Sequence, residues 1–167
     1  MLKIARSMSE LPLRQLMEVY QETNISSAQR HWNAYSPERG LAMAEDRFYE
    51  DLQCGFFSIP HAMYCLWLVE GECVSALRLE PWQDGWLLAA LETAPDRRKQ
   101  GHARALLTAV QGYLEDQGAV KIYSHIHRRN KASIHVHEDC GFRKITDTAK
   151  LLDGTITSRM GTYLFEI

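Results

Sequence analysis

The stretch Leu91-Glu92-Thr93-Ala94-Pro95-Asp96-Arg97-Arg98-Lys99-Gln100-Gly101-His102-Ala103 decides the fold. It joins a segment of strand character, Trp86 to Thr93, to one of helical period. In the latter, Ala103, Leu106, Leu107, Val110, Tyr113 and Leu114 line one face and Gly118 ends the run. The start of a helix carries unpaired backbone N–H groups and the positive end of the macrodipole. Small residues at 101 and 103 let a diphosphate approach that backbone, and Arg97, Arg98 and Lys99 add positive charge. The loop therefore reads as a phosphate cradle, with a solvated basic turn as the plainer alternative. Other phosphate-binding patterns fit worse. There is neither a GxxxxGK[ST] run nor a GxGxxG run.

Upstream, Leu13, Leu16, Met17 and Tyr20 recur at helical spacing within 11–20, which predicts a first helix. A second is expected over 37–52, with Leu41, Ala44, Phe48 and Leu52 on one face. Between them His31, Trp32 and Tyr35 fall in an irregular, aromatic-rich segment, read either as a packed loop or as part of a substrate pocket. Ala62 to Val69 and Cys73 to Leu79 read as strands of a hairpin turning at Glu70-Gly71-Glu72, and Pro81 to Gly85 breaks the chain. Downstream, Ala119 to Ile126 is expected as a strand and Lys131 to Asp139 as a helix closed by Gly141. Two last strands, near Arg143 to Leu152 and Ser158 to Glu166, would join at Asp153-Gly154. The order implies an α/β protein with a mixed sheet and helices on its faces.

Length and composition agree with one domain spanning 1–167. A chain of 167 residues, 46% apolar and 24% charged, can bury a core without staples. With 19 basic against 21 acidic residues there is no electrostatic footprint for nucleic acid, and no polybasic segment for an anionic membrane. The opening Met1-Leu2-Lys3-Ile4-Ala5-Arg6-Ser7 carries charges where a signal peptide needs apolar residues. Cysteines at 54, 65, 73 and 140 form no CxxC pair, and reduced thiols suit the cytoplasmic location expected here. His125 and His127 would share one face of a strand, while His135 and His137 point nearly opposite ways on a helix, so no metal is expected.

The decisive stretch resembles the coenzyme-A motif of the GNAT superfamily of N-acetyltransferases, (Q/R)xxGx(G/A), met by Arg98, Gly101 and Ala103 with Pro95 upstream. A second match, Asn130-Lys131-Ala132-Ser133 through to Cys140-Gly141-Phe142, is similar to the family's Asn-x-x-(Ala/Ser)…Gly-Phe segment. The resemblance implies a GNAT fold: a mostly antiparallel central sheet with helices on both faces and a splayed pair of parallel strands. It implies acetyl-CoA as acyl donor, no metal, and direct attack by a primary amine of a small molecule or peptide. Backbone groups of Leu91, Glu92 and Thr93 would pair with the pantetheine arm. Amides of Lys99, Gln100, Gly101, His102, Ala103 and Arg104, beside Arg98, would hold the pyrophosphate. Asn130 and Ser133 would lie against the same cofactor, although Asn130 also fits a helix N-cap.

The family often has a tyrosine seven residues after that asparagine, taken as the acid for the departing thiolate; here the residue is His137. An imidazole titrates near ~6.5, so a protonated His137 could donate, and its place in the motif also puts it among the cofactor contacts. The alternative is that His137 packs and water supplies the proton. Glu92 is the candidate base, or else a binding group for a cationic acceptor. Glu138 is expected in solvent. Two other functions remain open on the sequence: a non-catalytic acyl-CoA-binding module, and a site for another phosphorylated ligand. The acceptor would be chosen by the first two helices, the loop between them and the C-terminal hairpin, with Trp32, Tyr35, Trp82 and Trp86 as aromatic candidates. A homodimer is expected only by family analogy.

Overall fold

A computed structural model describes residues 1–167. Its elements in chain order are β1 (Leu2–Ala5), α1 (Leu13–Val19), α2 (Gln21–His31), α3 (Pro37–Glu50), β2 (Met63–Val69), β3 (Glu72–Trp82), β4 (Gly85–Thr93), α4 (His102–Asp116), β5 (Lys121–His127), α5 (Lys131–Asp139), β6 (Arg143–Thr146), β7 (Ala149–Lys150), β8 (Ile156–Thr157) and β9 (Met160–Glu166). Seven strands form one sheet in the order β1-β2-β3-β4-β5-β9-β6, and β7 pairs with β8 alone. Every neighbouring pair in the large sheet is antiparallel except β4 with β5, which is parallel.

The sheet carries an apolar core on each face. On one side Leu16 and Val19 of α1 and Tyr20 just beyond its end meet Leu52, Phe56, Tyr64 and Leu66. On the other Leu106, Leu107, Val110 and Leu114 of α4 pack on Leu77, Leu79, Leu88 and Ile122, with Ile134 and Val136 of α5 at the margin. This is the face predicted for the helix at 103–118, and it is what the 3.6 period was reporting.

Four expectations need correction. The region after Tyr20 is helical, not irregular: α2 runs Gln21–His31 but buries only Asn24 and Ala28, so it has no apolar stripe to announce it. Strand β1 was not anticipated, because Lys3 and Arg6 interrupt a very short apolar pattern. Strand β3 continues through Pro81 to Trp82. Strand β2 ends opposite Leu79, so Pro81 sits where β3 has a free edge and no ladder bond is lost on that side. The strand expected over 143–152 is two short pieces, and β6 pairs with β9 while β7 and β8 stand apart as a hairpin.

Glycine and its neighbours close the elements. Glu70 and Gly71, both at positive φ, form the two-residue turn of the β2–β3 hairpin. Helix α5 ends in a Schellman cap: Phe142 N–H donates to His137 O (3.0 Å) and Gly141 N–H to Glu138 O (3.0 Å), with Gly141 at φ +87°.

Candidate active site

The parallel pair β4–β5 is joined only over Trp86–Leu88 against Ile122–Ser124. At its closed end the Asp84 carboxylate accepts from Lys121 Nζ (2.5 Å) and Tyr123 Oη (2.7 Å). Gly85 lies so close to β5 that a Cβ there would stand 2.3 Å from the Lys121 carbonyl. Beyond Leu88 and Ser124 the strands part, and the β5-facing edge of β4 from Ala89 to Thr93 has no strand beside it.

A bulge in β4 sharpens the parting. Ala76 pairs with Glu92 but Arg78 with Ala89, so Leu77 faces two residues, Ala90 and Leu91. Ala90 sits at φ +53°, a left-handed conformation that costs an alanine roughly 1–3 kcal/mol. Tyr20, buried at the junction of α1 and α2, donates its hydroxyl to Ala90 O at 2.6 Å and holds the bulge in place. Sequence reasoning missed this contact, which joins residues 70 positions apart.

At the end of β4, Pro95–Arg97 makes a single tight turn and α4 begins after Gly101, whose φ is +82°. The backbone N–H groups of residues 99–104 donate to no acceptor in the chain, and the space above Gly101 is open. Six amides without partners at a helix N-terminus suit an anion. The loop cations are not all free for it. Arg97 pairs with Glu72 (2.9 Å), and Arg98 pairs with Glu22 of α2 (2.7 Å) while donating Nε–H to Thr93 O (3.2 Å). Lys99 has no carboxylate partner. Arg104 turns instead to Asp139 of α5. The free amides, the unpaired edge of β4 and the open ground over Gly101 fit a diphosphate with an extended arm.

Asn130 caps α5, its side chain accepting from Ser133 N–H at 3.0 Å. His137, four residues after Ser133, is buried, 1% exposed. Its Nδ1 is 2.7 Å from Ser133 O, so Nδ1 carries the hydrogen and Nε2 the lone pair; Nε2 is buried without a partner. The ring packs on Phe142 with centroids 5.0 Å apart. Burial pushes its pKa down to about 4, against the mild upward pull of the Ser133 carbonyl. The physical cause is the Schellman cap: position C3 is where the residue after the capping glycine makes its contact. A neutral, inward imidazole is poorly suited to the acid role expected of it. His135 is exposed and 3.5 Å from Asp139, and Glu138 is exposed as expected.

On the sheet face away from α4 a cleft of about 520 Å³ opens at the splay. Leu87, Ala89 and Ala90 of β4 form one wall and His125 of β5 the floor, while Leu151, Leu152 and Asp153 of the β7–β8 hairpin and Met160 close it. His125 is the first β5 residue after the strands part. It stands edge-on to Trp82 at 5.8 Å, and burial lowers its pKa, which keeps it neutral near pH 7. Glu92 shares a face with Ala76; its carboxylate accepts from Thr23 Oγ1 of α2. Burial raises the Glu92 pKa, with Thr23 and then Arg98 opposing the rise. Of the aromatic candidates Trp82 meets the cleft, through His125. Trp86 packs on the α4 side, and Tyr35 is exposed. No group of three or more His, Cys, Asp or Glu side chains gathers as for a metal, and no helix is long and apolar enough to cross a membrane.

The sequence model of the acetyltransferase (GNAT) family matches residues 13–142. The chain therefore belongs to that family, and it is an acyltransferase that uses acetyl-CoA as donor. Solved structures agree on the fold over the whole length. The PaiA N-acetyltransferase of Thermoplasma acidophilum, determined with coenzyme A, superposes with TM-score 0.67 at 13% identity, covering 100% of this chain and 99% of that one. An aminoglycoside 6'-acetyltransferase type Ii gives 0.66 at 15% identity over 99% and 96%. The ribosomal-protein-S18-alanine N-acetyltransferase of Escherichia coli gives 0.59 at 20% identity over 98% and 91%. No curated protein matches the sequence.

Proposed function

We propose that this protein transfers the acetyl group of acetyl-CoA to a primary amine of a small molecule by direct attack. One observation carries the reading: the cleft bearing His125 opens where β4 and β5 part, on the strand that runs into the unpaired amides of residues 99–104. Acetyl-CoA supplies an activated acyl group on a thioester. The chain's own residues bind and orient. Amides 99–104 take the diphosphate, with Lys99, Gln100, Gly101, His102, Ala103 and Arg104 as the cradle. The open edge of Leu91, Glu92 and Thr93 takes the pantetheine arm as a strand would. Asn130 and Ser133 border the arm at the start of α5.

The attacking amine must lose its ammonium proton. Glu92 accepts it, directly or through water, because partial burial raises the basicity of a carboxylate that Thr23 holds in place. His125, neutral on the cleft floor, hydrogen-bonds the amine. His137 keeps a structural role at the α5 terminus, and the thiolate takes its proton from water.

Thiol release with a panel of small primary amines tests the reading. Glu92→Gln is expected to lower kcat by about 10²-fold, the low end for a lost base, with acetyl-CoA affinity unchanged. A full rate in Glu92→Gln with a comparable loss in His125→Gln would move the base to His125. No acetylated amine in any panel, with acetyl-CoA still bound, would favour a non-catalytic acyl-CoA-binding module.

A further inference from the structure

Beside the acceptor cleft lies a second cavity of about 460 Å³, lined by His127, Arg128, Arg129 and Arg159 and by no apolar side chain. The two cavities are lined by different residues but lie next to each other along β5 and β9. His125 and His127 alternate along β5, and His127 is the register partner of Met160, which closes the cleft next to Arg159. The ladder continues one step further, with Arg128 N–H donating to Arg159 O at 3.0 Å.

Charge here is out of balance. The Arg128 guanidinium donates to Asp147 O (2.5 Å) and stands 3.7 Å from Asp147 Oδ1, but Lys144 takes the same carboxylate at 2.8 Å. Arg129 and Arg159 have no carboxylate partner. Four cations thus meet one acid, in a chain whose net charge is −2. The turn that presents them is held by its backbone and the His127 ring: Arg129 N–H donates to His127 Nδ1 (3.2 Å), Asn130 N–H to His127 O (2.8 Å) and Lys131 N–H to Arg129 O (3.0 Å). Guanidinium groups gathered around one cavity are matched by a carboxylate or phosphate, which they bind by paired charge-assisted hydrogen bonds.

We infer that the acceptor is an amine that also carries an anionic group, and that His127, Arg129 and Arg159 receive that group while the amine lies against His125. The inference rests on the acetyl-transfer reading and narrows its substrate class. Two residues of strand separate the floors of the two cavities, so amine and anion stand roughly 7 Å apart. That spacing suits an ω-amino acid or a longer amino phosphate better than a simple α-amino acid.

Calorimetry on the full chain saturated with CoA tests this, with 6-aminohexanoate against hexylamine as probes and the exposed double variant Arg129→Gln/Arg159→Gln as comparison. Expected is at least about tenfold tighter binding of 6-aminohexanoate by the wild type. In the double variant the preference should vanish, with CoA affinity within about twofold of wild type. Equal binding of the two amines, or binding of neither, overturns the inference and leaves acetyl transfer standing. A double variant that loses CoA affinity but binds dephospho-CoA as the wild type does overturns it too, by giving the cavity to the donor's ribose phosphate. Failure of CoA to bind the wild type removes the acetyl-transfer reading itself.

Discussion

His137 occupies the motif position of a tyrosine but faces the protein interior. It stands seven residues after Asn130, yet its ring is locked between the Ser133 carbonyl and Phe142. A histidine with a folded pKa of about 4 and an unfolded value near ~6.5 binds its proton more readily in the unfolded chain. Its contribution is therefore intact above pH ~6.5 and is lost as pH falls toward 4, by ~3 kcal/mol in all. Urea unfolding from pH 7.5 to 4.5 should show that slope in the wild type and a shallower one in His137→Leu. An identical slope in both would mean that other groups carry it. The inward position was legible in principle, since Gly141-Phe142 after a short helix signals a Schellman contact at 137. The motif's usual tyrosine drew attention to chemistry instead. Glu92 was legible as a polar group on the cofactor strand, but its partner Thr23 lies in a helix whose polar sequence gave no periodic signal.

At the scale of elements, what the sequence announced was what it repeats. The α4 stripe, the β2–β3 turn and the helix start after Gly101 are all local patterns, and all three stand where expected. The bulge at Ala90 was not legible, because alanine carries no preference for positive φ and the hydroxyl that holds it comes from Tyr20. The closed end of the splay is equally non-local. Gly85 leaves room for the Lys121 carbonyl, and backbone cannot move aside as a side chain could. Gly85→Ala should destabilise the fold by about 2–3 kcal/mol, the upper range for overpacking. Thermal unfolding checks it, and a variant as stable as the wild type would show that β4 and β5 can separate at that end too.

For the whole molecule, the sheet divides labour between its ends and faces. Unpaired amides lie at the start of α4, and the sheet face opposite α4 holds the cleft proposed for the acceptor, closed by a hairpin that belongs to neither core. That separation predicts separable variants. Leu152 lines the cleft yet is 60% exposed, so Leu152→Asp should leave folding intact. It should raise the acceptor KM by about fivefold or more without touching acetyl-CoA affinity, since about 1 kcal/mol of apolar contact is at stake. A change in acetyl-CoA affinity instead would join the hairpin to the donor site. The acceptor's identity was least legible of all, because the cleft proposed for it draws its walls from β4, β5 and residues 151–160, which no single stretch of sequence brings together.

The most direct test is a calorimetric titration of wild type and Gly101→Glu with acetyl-CoA. The added carboxylate would enter the cradle at a left-handed position where nothing else stands within 4 Å. The wild type should bind at micromolar level, and the variant, with its fold verified by circular dichroism, should lose at least about 100-fold, or ~2.7 kcal/mol. Equal binding by both proteins would contradict the cradle, and with it the site built around it.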